Sequence, residues 1–505
     1  MGDPLHSQPA AVVYGGTPES PDVVVYTATN DGYVHAIDGD TGEELWAFIP
    51  REHLSNLTKL FYNPSSAFKN YGVDGDIVPV TKDVDRDGVI EPGDGDFVYI
   101  LFGMRRGGDS YYALDVTNRN RPIVKWRISS PEMGQSWSAP TVARVAMNDN
   151  RLNSDEAVVI IGGGYDIVHD LSDHPASPDT DGAGIYFLDL ESGEVLWRAG
   201  PDDPADLTLS SMTRAIPNQV RVVDFNGDSY ADRLYASDLG GQVWRFDIFH
   251  GNAPNGIGED ALVTGGVIAQ LGAEGMASPT LADTRRFYNA PDVAIFSDPV
   301  QNRRYLAINI GSGYRAHPLD SSNMDRFYSI RDPELFSKLN QDAYNNYNIV
   351  TNDDLVEVSG SVGTTIGASD RGWKFTLPSD QKILTASTTF NNEVFFVAFS
   401  PDAAAAASCS AGRGRNYLYR VSITNGDPIA DLDNVVPGTE DQLRVQELSQ
   451  GGIAPSARFL FPSPDADCTG ADCNPPPLGC IGVECFDPGF ENNPVRTLWT
   501  QDGIE

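Results

Sequence analysis

Val23-Val24-Val25-Tyr26, Asn30-Asp31-Gly32, Val34-His35-Ala36-Ile37-Asp38, Asp40-Thr41-Gly42 and Leu45-Trp46-Ala47-Phe48 follow one another along the chain. Short runs of β-branched and aromatic residues predict strands, and the Gly-containing tripeptides between them predict tight hairpin turns. The unit is therefore strand, turn, strand ending in Asp, turn, strand carrying Trp.

This unit recurs. Residues 97–102 lead to Tyr111-Tyr112-Ala113-Leu114-Asp115 and Val124-Lys125-Trp126. Residues 157–161 lead to Ile185-Tyr186-Phe187-Leu188-Asp189, Ser192-Gly193 and Val195-Leu196-Trp197. Arg233-Leu234-Tyr235-Ala236 leads to Gln242-Val243-Trp244-Arg245-Phe246-Asp247, residues 306–310 precede 327–330, and residues 394–399 precede 417–421 with the turn Asn425-Gly426. A small sheet repeated in this way buries its apolar faces by stacking on its neighbours, and closing the ring protects the strand edges. The expected fold is an all-β propeller with loop and short-helix insertions, and the Trp residues are expected to be packing wedges. Helices are expected over 51–61 and from Asp332-Pro333-Glu334, where an N-cap precedes Pro. Residues 169–184 read as a long exposed loop.

The 505 residues carry 71 acidic and 35 basic side chains, a formal charge of -36. Such a surface repels phosphate backbones, so nucleic acid is not expected as a partner, whereas divalent cations and basic proteins are attracted. No apolar run is long enough to cross a membrane as a helix. Cys468, Cys473, Cys480 and Cys485 fall together beside Pro475-Pro476-Pro477. The C-x4-C-x6-C-x4-C spacing is looser than usual zinc knuckles, so two disulfides in an oxidising compartment are the expectation, with three pairings open. Cys409 is left over as a small buried side chain. The division expected is a propeller over 1–460 and a Cys/Pro-rich stapled tail over 461–505, with Arg496-Thr497-Leu498-Trp499-Thr500 as a ring-closing strand. The polar opening Met1-Gly2-Asp3-Pro4 lacks a signal-peptide apolar region, and with the cysteines it suggests an excised part of a longer exported protein.

Two stretches have the oxygen spacing of calcium loops. In Asp224-Phe225-Asn226-Gly227-Asp228-Ser229-Tyr230-Ala231-Asp232, Asp224, Asn226, Asp228 and Asp232 supply side-chain oxygens and Tyr230 a backbone carbonyl. Ca²⁺ takes about six to eight oxygens, which a short chain supplies only by curling around the ion. Asp83, Asp85, Asp87, Val89 (through its carbonyl), Glu91 and Asp94 follow the EF-hand order more fully, with Gly88 at the sixth place and Asp94 in place of the closing Glu. A solvated Asx-rich turn is the alternative for either loop. Elsewhere no G-x-S-x-G, H-E-x-x-H or phosphate loop occurs, and the seven histidines lack metal-ligand spacing; His169 and His174 are the best pair.

The stretches Asp3-Pro4-Leu5-His6-Ser7-Gln8-Pro9, Val73-Asp74-Gly75, Arg106-Gly107-Gly108, Gly162-Gly163-Gly164-Tyr165, Gly311-Ser312-Gly313-Tyr314-Arg315-Ala316-His317-Pro318-Leu319 and Asp325-Arg326-Phe327-Tyr328 resemble the C-terminal propeller of the PilY/PilC-type adhesins of type IV pili. The resemblance covers most of residues 3–460. It implies a seven-bladed, modified quinoprotein-like propeller without enzymatic activity, at the extracellular pilus tip after export through the periplasm. It implies minor pilins and a host or abiotic surface as partners. It also places a calcium site on Asp224, Asn226, Asp228 and Asp232, whose occupancy is linked to pilus extension and retraction. The 83–94 loop is an insertion relative to that family. No Arg-Gly-Asp tripeptide occurs, which counts against integrin binding. A pyrroloquinoline-quinone dehydrogenase is the rival reading, but such enzymes use adjacent cysteines, and this chain has no Cys-Cys pair.

Overall fold

The computed structural model describes residues 2–66, 69–147, 157–171, 177–250, 262–274, 276, 279–298, 301–401, 413–429, 440–462 and 475–489. His174, Cys409, Cys468, Cys473 and the strand expected over 496–500 lie outside them. Two compact units divide the chain, one from residues up to 236 with 246–265, the other from 237–245 with 266–498.

In the first unit, β1 (Ala10–Thr17), β2 (Ser20–Ala28), β3 (Val34–Asp38) and β4 (Glu44–Phe48) form an antiparallel sheet in sequence order. So do β5 (Ile77–Lys82), β6 (Phe97–Gly103), β7 (Tyr111–Asp115) and β8 (Ile123–Ile128). β9 (Thr141–Arg144), β10 (Ala157–Gly162), β11 (Ile185–Asp189) and β12 (Val195–Gly200) continue the pattern, with β13 (Leu207–Thr208) added in parallel on β12. A further sheet, not confined to the first unit, takes β14 (Arg221–Val223), β15 (Arg233–Ser237), β16 (Gln242–Ile248) and β17 (Val263–Gln270) in order.

In the second unit, β18 (Asp292–Asp298), β19 (Arg303–Gly311), β20 (Arg326–Asp332), β21 (Val356–Glu357) and β22 (Gly372–Thr376) pair in the order β18-β19-β20-β22-β21. β23 (Lys382–Ile383) and β24 (Thr388–Phe390) both pair with β25 (Glu393–Ser400), followed by β26 (Arg415–Ser422) and β27 (Val445–Leu448). β28 (Arg458–Leu460), β29 (Leu478–Ile481) and β30 (Glu484–Phe486) form a small sheet within which Cys480 and Cys485 are disulfide-bonded.

Side chains explain why β6 and β25 are apolar along most of their length instead of alternating with polar residues. Successive residues of a strand point to opposite faces. Along β6, Val98, Ile100 and Phe102 enter one buried cluster with Val24 and Tyr26, while Tyr99 and Leu101 enter another with Val159 and Ile161. Likewise Val394, Phe396 and Ala398 of β25 pack with Trp373, and Phe395 and Val397 pack with Ile481. β6 and β25 are thus buried on both faces.

Trp46, Trp126 and Trp373 act as the expected wedges, whereas the Trp244 indole N–H donates to Asp238 of its own sheet at 2.8 Å. The indole N–H of Trp46 donates to the Arg119 carbonyl at 2.9 Å, that of Trp126 to Leu190 at 2.8 Å and that of Trp373 to Ile423 at 2.9 Å. In each case the acceptor follows the third strand of the neighbouring sheet. The Asp ending the third strand of a sheet organises the turn after it: Asp38 Oδ1 accepts the Thr41 N–H at 2.8 Å, and Asp189 Oδ1 accepts the Ser192 N–H at 2.7 Å.

Two expectations are corrected. Asp332 caps no helix; it is the buried last residue of β20, gripped by Arg245 at 3.0 Å, and accepts the Glu334 N–H at 3.0 Å in a turn. The nearby helix α3 (Gln341–Asn345) starts later, where Asn340 accepts the Ala343 N–H. His169 is not on an exposed loop. It lies in the short α2 (Val168–Leu171), buried, with Nε2 2.8 Å from Asp179, which Arg214 also holds at 3.0 Å. The helix expected over 51–61 is a tight turn followed by α1 (Asn56–Tyr62), none of whose residues is buried.

Two measurements check this packing. Trp126→Phe leaves the buried Leu190 carbonyl without its donor, and urea unfolding should show a loss of about 1–3 kcal/mol. Burial pushes the Asp238 carboxyl up to about 7, against the pull of N–H groups from Gln242, Trp244 and Gly240. A carboxyl raised in the folded state contributes stability at low pH that is lost as pH rises towards 7. Asp238→Asn should therefore cost less stability at pH 8 than at pH 5, the gap changing by at most ~1.4 kcal/mol per pH unit.

Candidate metal centre

Two hairpin loops occupy the same place in their sheets, between the first and second strands. Residues 83–96 join β5 to β6, and residues 224–232 join β14 to β15. A tight loop turns backbone N–H groups inward, and short acidic side chains collect them. Asp224 Oδ1 accepts the N–H groups of Asn226 (3.1 Å) and Gly227 (2.8 Å), and Oδ2 that of Ser229 (2.9 Å). Asn226 Oδ1 accepts from Asp228 at 2.8 Å, Asp228 Oδ1 from Tyr230 at 2.9 Å, and Asp232 Oδ2 from Phe225 at 2.9 Å.

The other loop repeats this wiring. Asp83 accepts from Arg86 (2.7 Å) and Gly88 (2.8 Å), Asp85 from Asp87 (3.3 Å) and Asp87 from Val89 (2.8 Å). The fourth and sixth places are left-handed in both: Gly227 (φ 74°) and Ser229 (φ 68°), Arg86 (φ 62°) and Gly88 (φ 83°). The glycine that relieves this conformation stands at the fourth place in one loop and the sixth in the other.

Asp83, Asp85 and Asp87 each offer an oxygen within 4.8 Å of the others. Ca–O bonds of about 2.3–2.6 Å put opposite ligands up to roughly 5 Å apart, so this donor set fits a calcium ion. The Gly88 N–H leads in holding the Asp83 carboxyl below its ordinary range. Asp85 is pushed up: the Asp87 N–H pulls it down, but desolvation and the charges of Asp87 and Asp83 outweigh that pull. In the 224–232 loop Asn226 replaces the middle carboxylate, and its Nδ2 donates to Asp228 Oδ2 at 3.1 Å.

Asp232 closes its loop at the expected position, whereas in the longer loop Asp94 is not placed like it. Asp94 ends a 3-10 turn and its N–H bonds to the Glu91 carbonyl at 3.0 Å. It is Asp96, absent from the spacing argument, whose Oδ1 accepts the Val84 N–H at 2.8 Å and whose Oδ2 accepts the Glu91 N–H at 2.9 Å. Asp232 makes the equivalent bond to the second residue of its loop. Asp96 and Asp232 are both buried, and each directly precedes the second strand of its sheet. An Asp followed by a strand was the available signal; the EF-hand count of twelve concealed it.

Both loops are tied down. The Ile90 N–H donates to the Tyr14 carbonyl at 3.1 Å. Tyr230 lies under the Arg144 guanidinium, 4.6 Å from ring centre, and edge-on to His250 at 5.5 Å, while the Ala231 N–H donates to the Arg144 carbonyl at 2.9 Å. Behind the loop, Arg233 and Asp247 form a fully buried pair at 2.6 Å.

Repeated sheets with Trp wedges and oxygen-lined hairpins define a β-propeller with candidate cation loops. The family model described as "PilY1 beta-propeller domain" matches residues 10–270, more than half of the chain, and the chain belongs to that family. It is 31% identical over 285 residues to the type IV pilus biogenesis factor PilY1 of Pseudomonas aeruginosa strain UCBPP-PA14, covering 50% of this chain and 21% of that protein. It is 25% identical over 488 residues to a PilY1 homolog of Xylella fastidiosa strain Temecula1, covering 90% of this chain and 30% of that protein. The chain thus spans less than a third of the length of either relative. The crystal structure of the Pseudomonas aeruginosa PilY1 C-terminal domain matches with a TM-score of 0.58 at 20% identity, covering 92% of both chains. The fold is the seven-bladed propeller expected.

If the shared wiring reports the ligand set, Asp96→Ala should weaken calcium binding at its loop by about 10–100-fold, the usual range for a ligand's supporting partner. Asp94→Ala should change it by less than about threefold. Calorimetric calcium titration on a background lacking the other loop's carboxylates measures both.

Proposed function

We propose that this chain is the propeller domain of a type IV pilus biogenesis factor that binds calcium and contacts partners without catalysing a reaction. The single observation carrying this reading is the duplicated wiring of the 83–96 and 224–232 loops, in a chain whose relatives are named pilus biogenesis factors. The site of action is the extracellular pilus tip, reached through the periplasm. The partners are minor pilins and a host or abiotic surface. Nothing in the site geometry favours the quinone-dependent dehydrogenase reading.

Bound Ca²⁺ would supply positive charge that cancels the repulsion among the loop carboxylates. The protein's residues do the rest. Asp224, Asn226, Asp228 and Asp232 hold the backbone N–H groups of residues 225–230, and Tyr230 passes the loop's position to Arg144 on β9. A loop ordered in this way presents one surface, and a loss of order changes what a pilin or a surface meets. Calcium occupancy thereby sets pilus extension against retraction and attachment.

Hydrogen exchange over residues 220–240 should slow when calcium is added, and Asp224→Ala with Asp228→Ala should abolish the slowing and the calorimetric heat of that loop. Identical protection with and without calcium in the wild type would contradict the reading. Dye reduction on addition of pyrroloquinoline quinone would overturn the non-enzymatic assignment.

A further inference from the structure

Arg105 is placed unlike the other arginines around it. It sits between β6 and β7 with φ 50°, a left-handed conformation that side-chain-bearing residues rarely adopt. Its guanidinium lies 4.6 Å from the centre of the Trp137 ring, which stacks on Tyr165 at 4.3 Å. Arg106 beside it is fully engaged: its two terminal nitrogens grip Asp170 at 2.7 and 2.9 Å, and Tyr165 donates to the same carboxylate at 2.8 Å. Arg105 has no ion pair and no side-chain hydrogen bond among the described residues, and its Nε is buried without an acceptor. Asp74 and Asp76 act on its charge from a distance without a hydrogen bond to it; both Asp74 oxygens are committed, Oδ2 to His6 at 2.6 Å and Oδ1 to Asn30 at 2.8 Å, and Asp76 Oδ1 accepts the Gln8 N–H at 3.0 Å.

Two further donors lie unpartnered on adjoining segments. The segments of residues 70–72 and 105–107 meet where a Cβ on Gly107 would fall 1.7 Å from the Gly72 carbonyl and 3.2 Å from the His53 ring. Asn70 Nδ2 and His53 Nε2 are both buried without a partner. Burial holds the His53 ring below its ordinary range, against the pull of Glu52, so it is neutral at pH 7. With Asn56 Nδ2 donating to Nδ1 at 3.3 Å, the ring proton is on Nε2, a donor. Buried donors lacking acceptors are costly, and two of them on segments adjoining a strained arginine whose own Nε is unpaired is an arrangement that an anion would satisfy.

We propose that Arg105, presented on Trp137 with His53 and Asn70 behind the Gly72–Gly107 contact, is a binding site for a single carboxylate. The planar guanidinium fork matches a carboxylate in two parallel N–H···O bonds. A chain of charge -36 disfavours a dianion such as phosphate more than a monoanion. The carboxylate belongs to a peptide chain end or to a small organic acid. This site shares no residue with the cation loops.

The test uses the whole chain in EDTA, so that its failure is separate from any failure of calcium binding. The Trp137 indole resonance, assigned with Trp137→Phe, is followed during titration with sodium acetate, N-acetyl-dialanine, the amide of that peptide, and inorganic phosphate. Both carboxylates should shift the resonance saturably and the amide should not. A peptide that binds tighter than acetate assigns a chain end, and equal binding assigns small organic acids. Arg105→Gly should weaken carboxylate binding at least about tenfold, the scale of one lost charge-assisted hydrogen bond. Its melting temperature should be no lower than wild type, because glycine relieves the backbone and removes an unpaired charge. If the glycine variant fails to fold, Arg105→Gln decides by the same tenfold criterion. No saturable shift with either carboxylate, wild-type binding by the variant, or tighter binding of phosphate would overturn the proposal. A lower melting temperature with unchanged binding would assign Arg105 a structural role instead.

Discussion

A backbone bent into a tight loop must find acceptors for the N–H groups it turns inward, and here aspartate supplies them. The same constraint recurs across the molecule. After the third strand of a sheet an Asp collects the turn's N–H groups, as Asp38 and Asp189 do. Between the first and second strands of two sheets, several carboxylates do so at once. In the 83–96 loop this wiring leaves one oxygen each of Asp83, Asp85 and Asp87 within 4.8 Å of the others, so the bonds that shape that turn also gather candidate cation ligands.

The rest of the fold gives these loops fixed ground. β6 buries alternate residues in two different clusters, so the strand after the 83–96 loop is held on both faces. Arg233, directly after Asp232, is locked to Asp247 with neither side chain exposed. A loop whose ends are immobile can change order in its middle without disturbing the sheet. That is what the proposed response to calcium requires.

Much of this was legible in the sequence. The repeat of apolar runs, Asp-containing turns and Trp fixed the propeller, because strand periodicity and turn chemistry are local. That the side chains at the first, third and fifth places of each loop would collect its N–H groups was legible for the same reason. Asp96 was not, because the longer loop carries extra residues between Asp87 and its closing carboxylate, and a fixed count of twelve stopped at Asp94. His169 was misplaced because a polar stretch was taken for an exposed one, whereas Asp179 and Arg214, distant in sequence, give it buried partners. Arg105 carried no local signal, since an arginine without an acceptor is recognised only once its surroundings are known.

The most direct test of the cation loops is anomalous diffraction from crystals of this chain grown with calcium and back-soaked in terbium. Two peaks are predicted, one bounded by Asp83, Asp85, Asp87 and Asp96, the other by Asp224, Asn226, Asp228 and Asp232. Density free of anomalous signal at both loops, with the carboxylates still hydrogen-bonded only to backbone N–H groups, would contradict the account.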